Sequence, residues 1–277
     1  MKGGSYVLMT IELVTHKIIQ SGNIIELYKY EKGYLKGYDA GPRKNDSKPS
    51  EYESKEDIRE RSLKRAKTTL RRLINANHGQ YGKEFTSKFL TLTFGDNVTD
   101  LDESNYEFKK FIKRLNYLIF NTKKANIKYT AVWELQERGA IHYHVILYNV
   151  PYIKQNIIQD TWKNGFVWIN KIKDVDNVGA YISEYLGGSE KGQNQSEFEG
   201  RKTYFNSRGL LQPLEITDKK IVETIAVALL SNKMAYSSTF VNEYLGNVSY
   251  KQYNLNNVVS QYGTEENNKI LHQNLMI

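Results

Sequence analysis

The sequence predicts an α+β fold, on three observations. Between residues 89 and 186 the apolar spacing switches between two residues and 3.6, in the order strand, helix, strand, strand, helix, strand, helix. The two middle strands, Tyr129 to Leu135 and Ala140 to Tyr148, are joined by Gln136-Glu137-Arg138-Gly139, a hairpin signal with Gly at the turn. Finally, 277 residues with 40% hydrophobic and 25% charged side chains suffice for a core across one large domain or two small ones.

The elements follow in chain order. Tyr6 to Ile19 and Ile24 to Tyr30 are rich in β-branched and aromatic residues about Ser21-Gly22-Asn23, and read as a hairpin. Gly41-Pro42, Asp46, Ser47, Pro49 and Ser50 mark a linker. From residue 59 to 74, Leu63, Ala66, Leu70, Leu73 and Ile74 share one helical face, and Arg59, Arg61, Lys64, Arg65, Lys67, Arg71 and Arg72 cover the rest. That dense positive charge suits either a solvated surface or contact with a DNA backbone.

Phe89 to Phe94 alternates as a strand, with Leu90, Leu92 and Phe94 inward and Thr91 and Thr93 on a face expected to be wet. Phe108, Phe111, Ile112, Leu115 and Ile119 then mark a packing helix whose acidic start, Asp100 to Glu103, suits the positive end of its dipole. After the hairpin, Pro151 to Asn164 reads as a helix, Phe166 to Ile172 as a strand, and Asp176 to Leu186 as a helix stopped by Gly187-Gly188. A polar Gly- and Ser-rich loop follows, then a basic segment with Arg201, Lys202 and Arg208. Lys219 to Leu230 reads as an apolar helix, Phe240 to Tyr250 as a strand, and the last twenty residues as a frayed tail. The expected organisation is an N-terminal hairpin and linker (1–56), a main domain (57–215) and a C-terminal extension (216–277).

Composition narrows the chemistry. The net charge of +8 and pI near 9.2 favour a polyanionic partner, and some of the 21 tyrosines can stack on unpaired bases. No cysteine is present, so any metal must be held by His, Asp, Glu or carbonyl oxygen, as suits a cytoplasmic protein. No secretory leader is expected from the first thirty residues, nor a membrane span from any window.

Strand alternation puts His142 and His144 on one face while Ile141, Tyr143, Val145 and Leu147 turn to the core. Alone, a His-x-His pair is most simply two satisfied polar residues. On the partner strand, however, Ala131, Trp133 and Leu135 supply the apolar face, which leaves Glu134 beside the histidines. Two His and one carboxylate form an open three-ligand site, suiting Mg²⁺ or Mn²⁺ in function and Zn²⁺ by affinity. Tyr181 and Tyr185 lie one helical turn apart, beside the apolar stripe of Val178, Ile182 and Leu186. They either complete that stripe or serve as nucleophiles toward a phosphodiester made electrophilic by a cation.

These residues resemble the HUH endonucleases, specifically the rolling-circle replication initiators of plasmids, phages and small single-stranded DNA viruses. Phe89-Leu90-Thr91-Leu92-Thr93-Phe94 is similar to the family's first motif, Glu134 to His144 (E-L-Q-E-R-G-A-I-H-Y-H) to its metal motif, and Ala180 to Tyr185 to its nucleophile motif. The resemblance covers roughly residues 59 to 215. It implies a central five-stranded antiparallel sheet flanked by helices, a divalent metal on Glu134, His142 and His144, and attack by Tyr181 that leaves a 5′-phosphotyrosine and a free 3′-hydroxyl. Tyr185 would be a second catalytic tyrosine. DNA would be met by the basic helix, Thr91, Thr93, Arg138, Arg201, Lys202 and Arg208.

The family usually carries lysine three residues after the first tyrosine, where this chain has Glu184. The replacement would weaken nicking, pass the lysine's task to Lys171, Lys173 or Lys191, or let Glu184 approach the metal itself. The sequence contains no G-x-x-x-x-G-K-[ST], so the resemblance implies a host helicase, together with a polymerase and a single-strand-binding protein. Relaxases place the tyrosine before the histidines and the related transposases are shorter, so both are disfavoured. A non-catalytic DNA-binding protein on the same sheet is the alternative of a different class.

Overall fold

The computed structural model describes residues 11–37, 54–172, 177–183, 201–202 and 204–258, without the side chains of Tyr181, Ser231, Lys233 and residues 256–258. In chain order its elements are β1 (Glu12–Ser21), β2 (Ile24–Lys36), α1 (Lys55–Asn77), β3 (Lys88–Phe94), α2 (Leu101–Phe120), β4 (Tyr129–Leu135), β5 (Ile141–Leu147) and α3 (Gln155–Trp162). Then come β6 (Gly165–Lys171), α4 (Val178–Ser183), β7 (Tyr204–Asn206), β8 (Leu214–Ile216), α5 (Lys219–Ala228), β9 (Asn232–Asn242) and β10 (Gly246–Val258). The fold is α+β, and the order anticipated for residues 89 to 186 runs from β3 to α4. Among the described residues no helix is long and apolar enough to cross a membrane.

The chain divides into two compact units, residues 59–212 and a discontinuous one of Met1–Ile58 with Pro213–Ile277. In the first, a five-stranded antiparallel sheet has the order β6-β3-β5-β4-β7. One face carries Leu90, Leu92, Ala131, Trp133, Ile141, Tyr143, Val145 and Leu147 and packs against Phe108, Phe111 and Leu115 of α2 and Ile158 and Trp162 of α3. The helix α2 begins where Asp100 accepts the Glu103 N–H at 2.8 Å, a side-chain cap for an otherwise orphan donor.

The opposite face is not wet throughout, which corrects the expectation drawn from the threonines. Val132, Ile146 and Tyr148 lie on it and are buried under Leu70, Leu73 and Ile74 of α1 and Val178 and Ile182 of α4. Each such fully buried aliphatic side chain contributes about 1.5–3 kcal/mol. The cause is the run Val145-Ile146-Leu147-Tyr148, whose continuous hydrophobicity belongs to a strand covered on both sides. The half of the face toward Glu134 and His142 carries Thr91, Thr93 and His144 as well.

Helix α3 is shorter than the stretch from Pro151 to Asn164. Its end is closed by Lys163 in the left-handed region, whose N–H donates to the Gln159 carbonyl. Gly165 then re-enters the sheet at φ 142°, where a Cβ would stand 2.4 Å from the Thr93 carbonyl oxygen, so only glycine fits.

The discontinuous unit holds a second five-stranded antiparallel sheet, ordered β8-β1-β2-β10-β9. The hairpin expected about Ser21-Gly22-Asn23 is present as β1 and β2; residues 6–10 lie outside the described residues, as does the linker up to residue 53. Val222, Ile225 and Ala228 of α5 pack with Ile18, Ile25 and Tyr253. The single strand expected over Phe240 to Tyr250 is instead the end of β9, a turn and the start of β10. Asn242 makes that turn, its side-chain oxygen accepting the N–H groups of Tyr244 and Leu245 at 3.0 Å each. The tail after residue 258 lies outside the described residues.

Candidate metal centre

Register assembles the centre. β5 lies between β3 and β4, with Glu134 opposite His142 on one side, and Thr93 opposite His142 and Thr91 opposite His144 on the other. Because alternation carries all five of these side chains to the same face, Oε1 of Glu134 lies 2.5 Å from Nε2 of His142 and 3.1 Å from Nε2 of His144. The two imidazoles meet edge to face at 4.6 Å between centroids. One ligand atom from each of the three residues falls within 4.8 Å of the others, so Glu134, His142 and His144 can hold a metal ion.

The surroundings fit that use. Burial lowers the pKa of His144, opposed by its hydrogen bond to Glu134, so the ring stays neutral and keeps a lone pair to donate. Behind it, Nδ1 lies 3.3 Å from Oγ1 of Thr91, which can accept from Nδ1–H once a cation takes the place of the Nε2 hydrogen bond to Glu134. Phe89 stacks on the same ring, 5.5 Å between centroids and 5° from parallel, and fixes its plane. For Glu134, burial pushes the carboxyl up, but the hydrogen bonds from His142 and His144 outweigh it and hold it at about 2. The carboxylate is therefore charged at neutral pH. Nδ1 of His142 is buried without a partner among the described residues.

Helix α4, the bearer of Tyr181, lies on this same side of the sheet, since Val178 and Ile182 pack with Val132 and Ile146. Val132 stands two residues before Glu134 and Ile146 two after His144, so both share their face. The Tyr181 side chain, Glu184 and Tyr185 lie outside the described residues. The segment from β3 to α4 thus carries three ligand candidates and a tyrosine helix in one orientation.

Residues 87–190 match the model of a family of replication-associated proteins, the ORF2 and gene 2 protein type. The span takes in every candidate ligand and both candidate tyrosines and points to a role in DNA replication. Helix α1 and the second sheet lie outside it. No curated protein and no solved structure matches the chain significantly.

The residues expected to meet DNA are scattered about this unit. Thr91 and Thr93 are half-buried beside the histidines. Arg59, Arg61, Lys64 and Arg65 are exposed along α1, while Lys67, Arg71 and Arg72 are half-buried. Arg138 turns back on the protein, donating to the carbonyls of Phe94 at 2.6 Å and Gly95 at 3.3 Å, and so ties the β4–β5 turn to the end of β3. Arg201 forms a two-pronged pair with Asp102 at the start of α2, the helix on the opposite face. The Lys202 carbonyl accepts Trp133 Nε1 at 2.8 Å. The carbonyl of Arg208 accepts Lys128 Nζ, near the Tyr129 end of β4 and remote from Glu134. Lys171 pairs with Lys88, at the other end of β3 from Thr93. Lys173 and Lys191 lie outside the described residues.

Two residues escaped the sequence reading. Asn75 and Asn77 are both buried at the end of α1, and the signal was their place in the apolar run Leu73-Ile74-Asn75-Ala76-Asn77. Polar groups buried there need partners. Asn77 finds them in the Leu73 and Leu211 carbonyls and the Leu211 N–H, at 2.8, 2.9 and 2.9 Å.

Proposed function

We propose that this protein is an HUH endonuclease that initiates rolling-circle replication by nicking single-stranded origin DNA, with residues 57–215 as the catalytic domain. The observation that carries the reading is the convergence of Glu134, His142 and His144 on the face where α4 holds Tyr181. The family match over the same residues supports it.

Glu134, His142 and His144 would hold Mg²⁺ or Mn²⁺. Bound there, the cation would act as a Lewis acid, neutralising charge on a non-bridging oxygen of the scissile phosphate. The protein's own groups do the rest. Tyr181 gives up its phenolic proton and its oxygen attacks phosphorus; the bond from phosphorus to the 3′-oxygen breaks, and that oxygen leaves as a protonated 3′-hydroxyl. The 5′-phosphate remains on Tyr181. Attack by a 3′-hydroxyl on this ester reverses the step and rejoins ends, with Tyr185 as the second nucleophile. Thr91 and Phe89 hold His144 in the plane and tautomer that ligation requires. The basic face of α1 would follow the DNA backbone, as would Arg201, Lys202 and Arg208, and Arg138 would fix the turn beside Glu134. A host helicase, polymerase and single-strand-binding protein complete replication in the cytoplasm.

The test incubates the protein with its labelled single-stranded origin and Mn²⁺ and resolves the products on a denaturing gel. Wild type and Tyr185→Phe should form a covalent adduct and Tyr181→Phe none. Absence of adduct from wild type, or an undiminished adduct from Tyr181→Phe, overturns the assignment; in the former case the chain is a non-catalytic DNA-binding protein.

A further inference from the structure

Among the described residues, one side chain of α1 hydrogen-bonds to α4 and its cap. Asn75 of α1, 7% exposed, donates from Nδ2 to Oδ1 of Asn177 at 2.8 Å and accepts the Gly179 N–H on its own Oδ1 at 2.8 Å. Asn177 in turn accepts the Ala180 N–H at 3.0 Å on that same oxygen and so caps α4. At Gly179 the backbones touch, for a Cβ there would lie 2.1 Å from the Arg71 carbonyl oxygen. The three hydrogen bonds all act on the turn immediately before Tyr181.

We propose that Asn75 is a positioning residue, acting through Asn177 and Gly179 to set where α4 presents Tyr181. The inference rests on the nickase reading above. A helix does not fix its own direction against the rest of the fold, because most helical stability in proteins comes from tertiary packing. Its orientation must come from tertiary contacts, and Val178 and Ile182 supply only non-directional packing. The paired Asn75 bonds add direction. The same joint ties the nucleophile helix to the basic helix, so DNA lying along α1 and the attacking oxygen share one frame. Misplacing a reacting atom by about 1 Å can cost on the order of 10²-fold in rate.

Three variants grade the joint. Asn75→Ala removes both bonds. Asn75→Asp keeps the acceptor for Gly179 but loses the donor to Asn177. Asn177→Asp keeps both the acceptor for Asn75 and the cap on Ala180. Single-turnover nicking in Mn²⁺ should fall about 10- to 100-fold in Asn75→Ala, less in Asn75→Asp and by under about twofold in Asn177→Asp. Mn²⁺ affinity and affinity for single-stranded DNA should stay at wild-type values in all three. Amide exchange should quicken at residues 180–183 in Asn75→Ala and stay slow in β4 and β5. Wild-type nicking by Asn75→Ala, or a rate loss matched by loss of Mn²⁺ affinity, overturns the proposal. Should wild type itself form no adduct, the nickase reading falls instead, and the exchange pattern alone decides whether Asn75 orders α4: unchanged exchange refutes it.

Discussion

The two sheets of this protein are built alike and charged differently. Both are five-stranded and antiparallel and pack against helices, on both faces in the first and against α5 in the second. Yet residues 59–212 hold 25 Lys and Arg against 16 Asp and Glu, whereas the discontinuous unit holds 14 against 15. All of the net positive charge therefore belongs to the unit with the His and Glu cluster. Among the described residues, the second sheet has no cluster of this kind. Its one deeply buried carboxylate among the described residues, Glu26, is met by the hydroxyls of Tyr28 and Tyr250 at 3.3 and 2.9 Å. One architecture thus serves two ends, and a few side chains on one face decide which.

The largest effect that can test this contrast comes from the ligands. His142→Ala, His144→Ala and Glu134→Ala should each lower nicking by on the order of 10²- to 10³-fold or more, in the range seen when one group that stabilises transition-state charge is removed. Mn²⁺ binding measured by calorimetry should weaken in parallel. Full activity in any of the three would remove that residue from the centre.

A smaller effect should separate the units by charge. Replacing Lys64, Arg65 and Lys67 of α1 by Gln should flatten the dependence of log affinity on log salt for single-stranded DNA, by about 0.7 for each phosphate that the protein no longer neutralises. The matching change of Lys29, Lys220 and Lys251, exposed lysines of the other unit, should leave the slope unchanged. Equal slopes for the two triple variants would mean that DNA reaches both sheets.

The same contrast explains what could be read from sequence. Glu134 and His142 are eight residues apart in a hairpin, so alternation and register, both local rules, place them side by side. The second sheet joins Tyr30 to Val248 and Glu31 to Asn247 across most of the chain, and no local pattern marks such a pairing. Thus the N- and C-terminal segments read as separate extensions although they share one sheet. Helix α4 was legible from Val178 and Ile182, but its anchorage to Asn75 was not, because a hydrogen bond between residues 102 positions apart leaves no periodic trace. Arg138 is expected at DNA from the resemblance; that its guanidinium also lies on the Phe94 and Gly95 carbonyls is a geometry that composition does not encode.

The smallest effect compares one histidine from each unit. Burial lowers the pKa of His78, at the end of α1, where Nδ1 is buried without a partner among the described residues. His16 of β1 is also lowered by burial; Glu223 opposes the shift while Lys29 and Lys219 reinforce it, and Thr15 Oγ1 lies 2.9 Å from its Nδ1. In both cases the unfolded chain binds the proton more readily than the folded one. Each ring therefore contributes stability that is present above pH 6.5, its ordinary value, and is lost as the pH falls through the folded value. His78, the more deeply buried of the two, should contribute the larger share. His78→Gln should accordingly flatten the decline of Tm below about pH 6.5 more than His16→Gln does, measured by calorimetry from about pH 7.5 to 5. The reverse order would show that proton uptake by the second sheet, rather than by the end of α1, sets the acid limit of the fold.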